Sequence, residues 1–389
     1  MENEIGIFSV NINGLNAPRK RNHVFSKLKK TKADIICLQE THIKQQHYKY
    51  LIYPKIGKLY YSAAQQKKRG VALYVKEKLN SKHIYSDEEG RILMVEITIN
   101  QKKVLMIAIY APNSKQEKFY RKLYKTILEK EYQNICILGD FNAIVDERLD
   151  YKNGKKGKNG RRRLPNVFFQ MAEELGLQDI WRETNTKSSQ FTFYSNRHKS
   201  WSRIDMIWLS SELKTEIQEV EIETNIWADH NPMKMRWKGE RKEKTRWTLN
   251  QEILKDKEFV ERTKKEMELF FKENKKEETS LQTIWDTAKA YFRGLAISYI
   301  AKRNKRKNQQ LTKLKEELKK LELELQKEPQ KKTLKNQMEI VKHKLNLIES
   351  EELAQQVKRA KQNFFENANK PGRWLSYRLK KNLFYYLNC

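Results

Sequence analysis

The stretch ILGDFNAIVDERLD (137–150) runs apolar up to Gly139 and then presents Asp140 and Asn142, with Phe141 between them. The two-residue period of an extended chain puts Asp140 and Asn142 on the same side. Five other strand ends or loops offer acceptor, amide or imidazole groups: NINGLN (Asn11, Asn13), LQETH (Glu40), IYAPN (Tyr110), SRIDMI (Asp205) and WADHNP (Asp229, His230). Each follows or sits within an apolar run, where a fold can hold a polar group rigidly. Such a set suits hydrolysis of a phosphodiester with a hard divalent cation. Oxygen ligands such as Glu40 and an aspartate hold Mg²⁺, which polarises the phosphoryl oxygen and supports the leaving alkoxide. Asp140 can orient or deprotonate the attacking water. Asn142 can donate to a non-bridging oxygen without adding charge, and an imidazolium at His230, held by a buried aspartate, can neutralise charge in the transition state.

Taken singly, each group has a duller explanation. Asn–Gly is a common turn dipeptide, and Asp140 or Asp229 could cap a turn or helix. His230 alone reads as a surface histidine, and Tyr110 as core with its hydroxyl bonded. The coincidence of six segments in one order carries the reading.

Composition narrows the partner. Lys plus Arg number 80 against 49 Asp plus Glu in 389 residues, a formal net charge of +31. An excess of this size calls for a polyanion, and nucleic acid is the usual one. No run of 18 apolar residues exists for a membrane span. MENEIGIF lacks a basic segment followed by an apolar one, so no signal peptide is read. Cys37 and Cys136 sit in apolar runs and read as buried thiols, which suits a reduced nuclear or cytoplasmic compartment and not secretion.

The elements that must position these groups alternate up to about residue 238. Apolar runs rich in Val, Ile and Tyr predict strands over 5–12, 34–39, 71–75, 92–97, 104–110, 134–138, 191–195, 204–209 and 219–224, with helices near 19–31, 115–130 and 165–175. Strands arriving in neighbouring runs predict an α/β sandwich of two mixed sheets, not a doubly wound parallel sheet. From about residue 240 the composition turns to Lys, Glu, Leu and Gln, predicting an all-α region. Leu311, Leu314, Leu318, Leu321 and Leu325 step by 3 and 4, and so do Leu334, Met338, Val341, Leu345 and Ile348 beyond Pro329. Two seams about one proline predict an antiparallel coiled-coil hairpin; the rival is one kinked helix pairing with another molecule. The expected organisation is a catalytic domain over 1–238, a helical linker over 239–300, the hairpin over 301–370 and an atypical tail over 371–389.

The ordered series N-x-N-G-L, Q-E-T, I-Y-A-P-N, G-D-F-N, S-R-I-D and D-H resembles the endonuclease/exonuclease/phosphatase superfamily. The phrases SVNINGLN, ICLQETHI, AIYAPN, ILGDFNAIVDERLD, LQDIW and FTFYSNRHKSWSRIDMIW are similar, more closely, to the N-terminal endonuclease of LINE-type non-LTR retrotransposon polyproteins. The resemblance implies Mg²⁺, with Mn²⁺ able to stand in. It makes Glu40 the principal metal ligand, places Asn11 and Asn13 close to the metal and its waters, and sets Asp229 near the metal or the leaving group. Tyr110 and Asn142 would contact the scissile phosphate, Asp140 would align the water, and Asp205 would orient His230 toward the phosphate. Many superfamily members carry Asp where this chain has Asn13, and the amide weakens the case for a second tightly held metal there.

Two basic segments flank this set. YKNGKKGKNGRRR (151–163) offers Lys155, Lys156 and Arg161 to phosphates, although a solvated loop is the plain alternative. SNRHKSW (195–201) reads as a hairpin loop that brings Arg197, His198, Lys199 and Trp201 beside Asp205. In the resembled branch such a hairpin helps select a deformable, A/T-rich duplex through the minor groove, giving preference and not strict specificity. KRNKRK (302–307) suits RNA as well as DNA. No Tyr/Phe-Ala-Asp-Asp sequence occurs, so the expectation is a copy truncated before the reverse transcriptase. The leading function is a Mg²⁺-dependent endonuclease that nicks double-stranded DNA to leave a 3′-hydroxyl. A repair nuclease of the exonuclease III or apurinic-site type, and an inactive nucleic-acid-binding coiled-coil module, stay open as alternatives, as does the oligomeric state.

Overall fold

The computed structural model describes residues 4–31, 33–153, 162–224, 228–239, 249, 251–275, 279–328, 331–367, 372 and 376. Lys155, Lys156, Arg161 and Pro329 lie outside the described residues, as does nearly all of the segment 371–389. The chain divides into two compact units, one of residues 1–241 with 320–389 and one of residues 242–319.

The first unit is built on two six-stranded mixed sheets. One holds, in order, β14 (Ile217–Ile222), β15 (Met233–Trp237), β1 (Ile5–Asn11), β2 (Ile35–Gln39), β4 (Val71–Val75) and β3 (Lys58–Ser62). The other holds β10 (Leu177–Asp179), β13 (Asp205–Ser210), β8 (Ile135–Asp140), β7 (Lys102–Tyr110), β6 (Ile92–Ile99) and β5 (Ser81–Ser86). A small third sheet joins β11 (Phe193–Ser195), β12 (Ser200–Ser202) and β9 (Tyr151–Asn153).

Central strands are buried on both faces, which explains why they read as unbroken apolar runs and not as alternation. In β1, Ile5 and Ile7 enter the sandwich interior with Cys37, Leu73 and Trp237. Phe8 and Val10 face outward onto Val24, Phe25 and Leu28 of helix α1 (Pro18–Lys30). In β8, Cys136 and Leu138 point into the sandwich, while Ile135 and Ile137 pack under α2 (Gln116–Leu128). Full burial of an aliphatic side chain contributes about 1.5–3 kcal/mol, so a one-residue slip in these strands would forfeit several such terms at once.

Register then collects the polar ends. β1 and β2 are parallel with Asn11 opposite Gln39; β7 and β8 are parallel with Tyr110 opposite Asp140. β13 runs antiparallel to β8 and puts Asp205 directly across from Asp140. Gly139, just before Asp140, has φ +137°, and a Cβ there would collide with the Ile109 carbonyl oxygen, so glycine alone allows β7 and β8 to meet.

The strands that the sequence pattern did not single out have a physical reason to hide. β3 (KLYYS) and β5 (SKHIYS) are short and partly exposed, and β15 (MKMRW) alternates Met with cations, a half-buried pattern made from residues of low strand preference. The segment expected as a strand from 191 begins at Phe193, because the Thr192 hydroxyl is engaged by the backbone amides of Ile204 and Asp205.

Beyond the sandwich, α6 spans Lys257–Asn274, α7 Leu281–Lys327 and α8 Lys332–Asn367. Residues 300 and 301, taken from the sequence as a boundary, lie inside α7. Leu318 and Leu325 of α7 and Leu334, Met338, Val341 and Leu345 of α8 are buried. Within the first unit α8 is anchored by Lys27 of α1, whose ammonium donates to Asn346 Oδ1 at 3.0 Å.

One buried ion network fixes the start of β13. Arg203, fully buried, donates through Nε and Nη2 to the two oxygens of Asp150 at 2.8 and 3.1 Å, and Nη2 lies 2.7 Å from Asp179 Oδ2. Asp150 ends α3 (Glu147–Asp150), and Asp179 caps α5 (Ile180–Thr184). The Trp181 ring lies against the guanidinium, its centroid 5.2 Å away. Helix α4 (Asn166–Glu174) closes the outer face nearby. Burial pushes the Asp150 carboxyl up, but the Arg203 charge and hydrogen bonds outweigh it and hold the group below its ordinary value. That stability is present above the unfolded carboxylate value of about 4 and is lost as pH falls through the folded one. Asp150→Asn, which removes one of the two carboxylates that compensate the buried Arg203 guanidinium, should destabilise the fold by about 3–5 kcal/mol at neutral pH. Thermal unfolding across pH 7 to pH 2 checks this: the advantage of the wild type over the variant should shrink progressively below about pH 4.

Candidate active site

Five strand ends meet at one edge of the sandwich. Asp140, buried, accepts a hydrogen bond from Asn11 Nδ2 at 2.9 Å on Oδ2 and from the Asn142 backbone amide at 2.8 Å on Oδ1. The Asn11 contact joins the two sheets. Across from Asp140, Asp205 Oδ2 lies 2.8 Å from His230 Nδ1, and ligand atoms of Asp140, Asp205 and His230 all fall within 4.8 Å of one another. Asp205 is placed by Thr192, whose hydroxyl receives its backbone amide at 3.1 Å; His230 is placed by a backbone bridge to Phe193 and by ring contact with it, centroids 4.7 Å apart.

Glu40 sits one residue past β2. The loops after β1 and β2 interlock through Gly14 N to Glu40 O (2.7 Å) and Leu15 N to Thr41 O (2.9 Å). Asn13, Glu40, His42 and Asn142 all hold positive φ, between +48° and +55°. That backbone is strained for residues with a Cβ and clusters where a site must aim its groups. The Glu40 carboxylate lies 3.4 Å from His42 Nε2, with Tyr110 and Asn11 also facing it. Asn142 Nδ2 donates to Ala111 O at 2.8 Å, which fixes its amide beside Tyr110. At the rim, Asn13 Nδ2 donates to Asp229 Oδ2 at 3.2 Å.

The electrostatics separate the carboxylates into two kinds. Burial, and then the Asp205 charge, pushes Asp140 above the usual carboxylate range, partly offset by His230, Asn11 and Asn142. Glu40 is also pushed up by burial, but the polar groups of His42, Tyr110 and Asn11 prevail and hold it at about 2. It is therefore an anion at any ordinary pH, while Asp140 is a more basic carboxylate, suited to taking a proton from water. Burial would lower His230, yet the Asp205 charge and hydrogen bond lift it to about 9, so the ring is a cation at neutral pH. Burial, with Glu40 and Asp140 nearby, pushes Tyr110 well up, and its hydroxyl remains a donor.

The donor set fits a hard divalent cation. Glu40, Asn11, Asn13 and Asp229 offer oxygen at one mouth, and Asp205 Oδ1 is buried without a hydrogen-bond partner among the described residues. The described thiols, Cys37 and Cys136, are buried and their pKa values are pushed up by burial, so no soft ligand competes. Asp140 and His230 are less suited to holding an ion, because the His230 ring is a cation at neutral pH, paired through Nδ1 with Asp205.

The structure thus brings together Asn11, Glu40, Tyr110, Asp140, Asn142, Asp205 and His230, with Asn13 and Asp229 at the rim. Arg197, His198 and Lys199 lie on the turn between β11 and β12, Arg197 and His198 exposed. Trp201 differs from expectation: it is buried against Tyr194 (centroids 4.7 Å) and Phe191, because strand period turns it away from the exposed tip. Several participants gave no clear sequence signal. Thr192 holds Asp205 through its hydroxyl. Lys20, on α1, donates to Ile12 O and Asn13 O at 2.7 and 2.8 Å and so braces the first loop. Arg91 donates to Tyr110 O at 2.9 Å. His42, 3.4 Å from Glu40, was visible only as the residue after Q-E-T.

Among known proteins, the chain is 24% identical over 324 residues to the Transposon TX1 uncharacterized 149 kDa protein of Xenopus laevis, an overlap of 81% of this chain and 24% of that protein. It therefore spans about a quarter of that relative's length. It is 29% identical to an exodeoxyribonuclease of Bacillus subtilis over 59% of this chain and 98% of the relative. The fold is similar to AP endonuclease LMAP from Leishmania major, with TM-score 0.54, 17% identity, and coverage of 60% of this chain and 88% of that one. Residues 8–230, from the first strand to the imidazole at the mouth, match the Endonuclease/Exonuclease/phosphatase family, to which this chain belongs.

Proposed function

We propose that the chain is a divalent-metal-dependent DNA endonuclease that hydrolyses one phosphodiester and leaves a 3′-hydroxyl, the end that primes reverse transcription in mobile elements. The observation that carries this reading is the meeting of a permanently ionised Glu40, a more basic Asp140 and the Asp205–His230 pair at one edge. The similarity to a transposon protein, running over 81% of the chain and so past the family match, supports the retrotransposon branch.

Glu40, with Asn11, Asn13 and Asp229 close by, would hold Mg²⁺ or Mn²⁺, which supplies Lewis-acid polarisation and support for the departing oxygen. Asp140 takes the proton of the attacking water, held in place by Asn11 and Asn142. His230, cationic and aligned by Asp205, offsets charge on the phosphoryl oxygens, and Tyr110 and Asn142 donate to them. The exposed Arg197 and His198, with Lys199 on the same turn, suit a duplex groove, with A/T-rich sites favoured through deformability. The exposed cations of 302–307 on α7 suit nucleic-acid backbone, RNA included. A nuclear or cytoplasmic setting would supply these substrates.

The names of other relatives favour a second reading, a repair nuclease. An apurinic or apyrimidinic endonuclease of Dictyostelium discoideum is 27% identical over 56% of this chain and 65% of its own length. Intact supercoiled plasmid, abasic duplex and recessed-end duplex separate the two. The endonuclease should nick the plasmid with Mg²⁺ and not with a chelator; cutting confined to the abasic duplex would move the assignment to repair. Glu40→Ala should bind DNA like the wild type and lose most cleavage, since it removes a metal ligand and no phosphate-tracking cation. Gel-shift and nicking assays on one preparation measure both. Asp140→Asn should lower the single-turnover rate by about 10²–10⁴-fold, the usual contribution of a positioned base, and an unchanged rate would remove Asp140 from that role.

A further inference from the structure

The loop that carries Asp229 and His230 is tied at both flanks by one residue from far along the chain. Glu322 of α7 is buried, and its Oε1 accepts Asn231 Nδ2 at 2.6 Å while Oε2 accepts the Thr224 hydroxyl at 2.7 Å. Glu322 and these partners belong to the same compact unit. A carboxylate buried beside the leucine seam is costly unless its oxygens are satisfied, and charge-assisted bonds are the stronger kind. Its partners lead straight to the site. Asn231 Nδ2 also donates to Phe191 O (3.2 Å), and its backbone amide to Thr192 O (2.6 Å). Thr192 Oγ1 in turn receives the amide of Asp205. Beside this junction is a cleft of about 240 Å³, lined by Tyr194, Trp201, Asp229, Leu325 and Lys335 among others. The Lys335 ammonium stands 5.6 Å over the Tyr194 ring.

We propose that Glu322 is a positioning residue of the nuclease: the segment of α7 that carries it clamps the loop holding Asp229 and His230, making the helical arm part of the catalytic apparatus. This rests on reading His230 as the group that acts on the phosphate. The two bonds fall on Thr224 and Asn231, either side of Asp229 and His230 in the chain, so their loss lets His230 and Asp229 shift together without removing any group that touches DNA.

Glu322→Ala and Glu322→Gln in the full chain test it. Gln can accept from Asn231 and donate to the Thr224 hydroxyl, so it preserves the clamp without the charge. In Glu322→Ala the single-turnover nicking rate at saturating DNA should fall about 10–100-fold, the scale set by misplacement of about an ångström. Its DNA affinity should stay near that of the wild type, and Glu322→Gln should restore most of the rate. Amide hydrogen exchange at residues 228–231 gives a readout independent of activity: it should accelerate in Glu322→Ala and match the wild type in Glu322→Gln. Unchanged exchange in Glu322→Ala, or equal acceleration in both variants, would overturn the clamp even if cleavage changed. A wild type that never nicks would defeat the endonuclease reading, while the exchange result would still decide the clamp.

Discussion

Two carboxylates and an imidazole share a nearly dry space at the end of the sandwich, and the rest of the structure is arranged to make that tolerable. Asp140 and Asp205 face each other across adjacent strands, where like charges repel and burial penalises ionisation. His230 relieves the repulsion as a cation, and Asn11 and the Asn142 amide satisfy Asp140 directly. Without His230, the edge would hold two buried carboxylates facing each other with no cation between them. The same balance leaves one carboxylate basic, keeps one imidazole charged, and isolates Glu40 as an anion a short way off.

Positioning comes from outside the site. Register carries Tyr110, Asp140 and Asp205 to one line, and Gly139 lets the strands approach. The Arg203 network pins the chain just before Asp205, and Thr192 holds the backbone of Asp205 itself. Buried ion networks of this kind are weak contributors to net stability but severe in their loss. Here the network also sets where β13 begins, and so where its first side chain points. The helical arm adds a further support, because Glu322 reaches back to the loop on which His230 sits.

Much of this was legible in the chain. The polar groups at the ends of apolar runs announced a site, and Q-E-T, G-D-F-N, S-R-I-D and D-H ordered them. Their convergence was an inference that geometry now describes. The residues that escaped did so for a common reason: Thr192, Lys20, Arg91 and Glu322 act through one polar side-chain group on an element whose pattern is otherwise ordinary. Glu322 is hardest to see, one glutamate in a Lys/Glu-rich helix where charges usually face water. Trp201 misled in the opposite direction, since a hairpin beside a site need not present every large side chain outward.

The sequence by itself determined the layers and the inventory: apolar runs long enough to be buried on both faces, helices to cover them, and a set of oxygen and imidazole groups suited to phosphodiester chemistry. Only tertiary structure decided which carboxylate is basic and which stays charged. Asp140 and Glu40 have nearly the same intrinsic acidity, and the difference between them comes from burial and from neighbours most of which lie 29 to 129 residues away in the chain. Such neighbours are set by strand register and packing, whose energies are summed over many residues and written in no single motif.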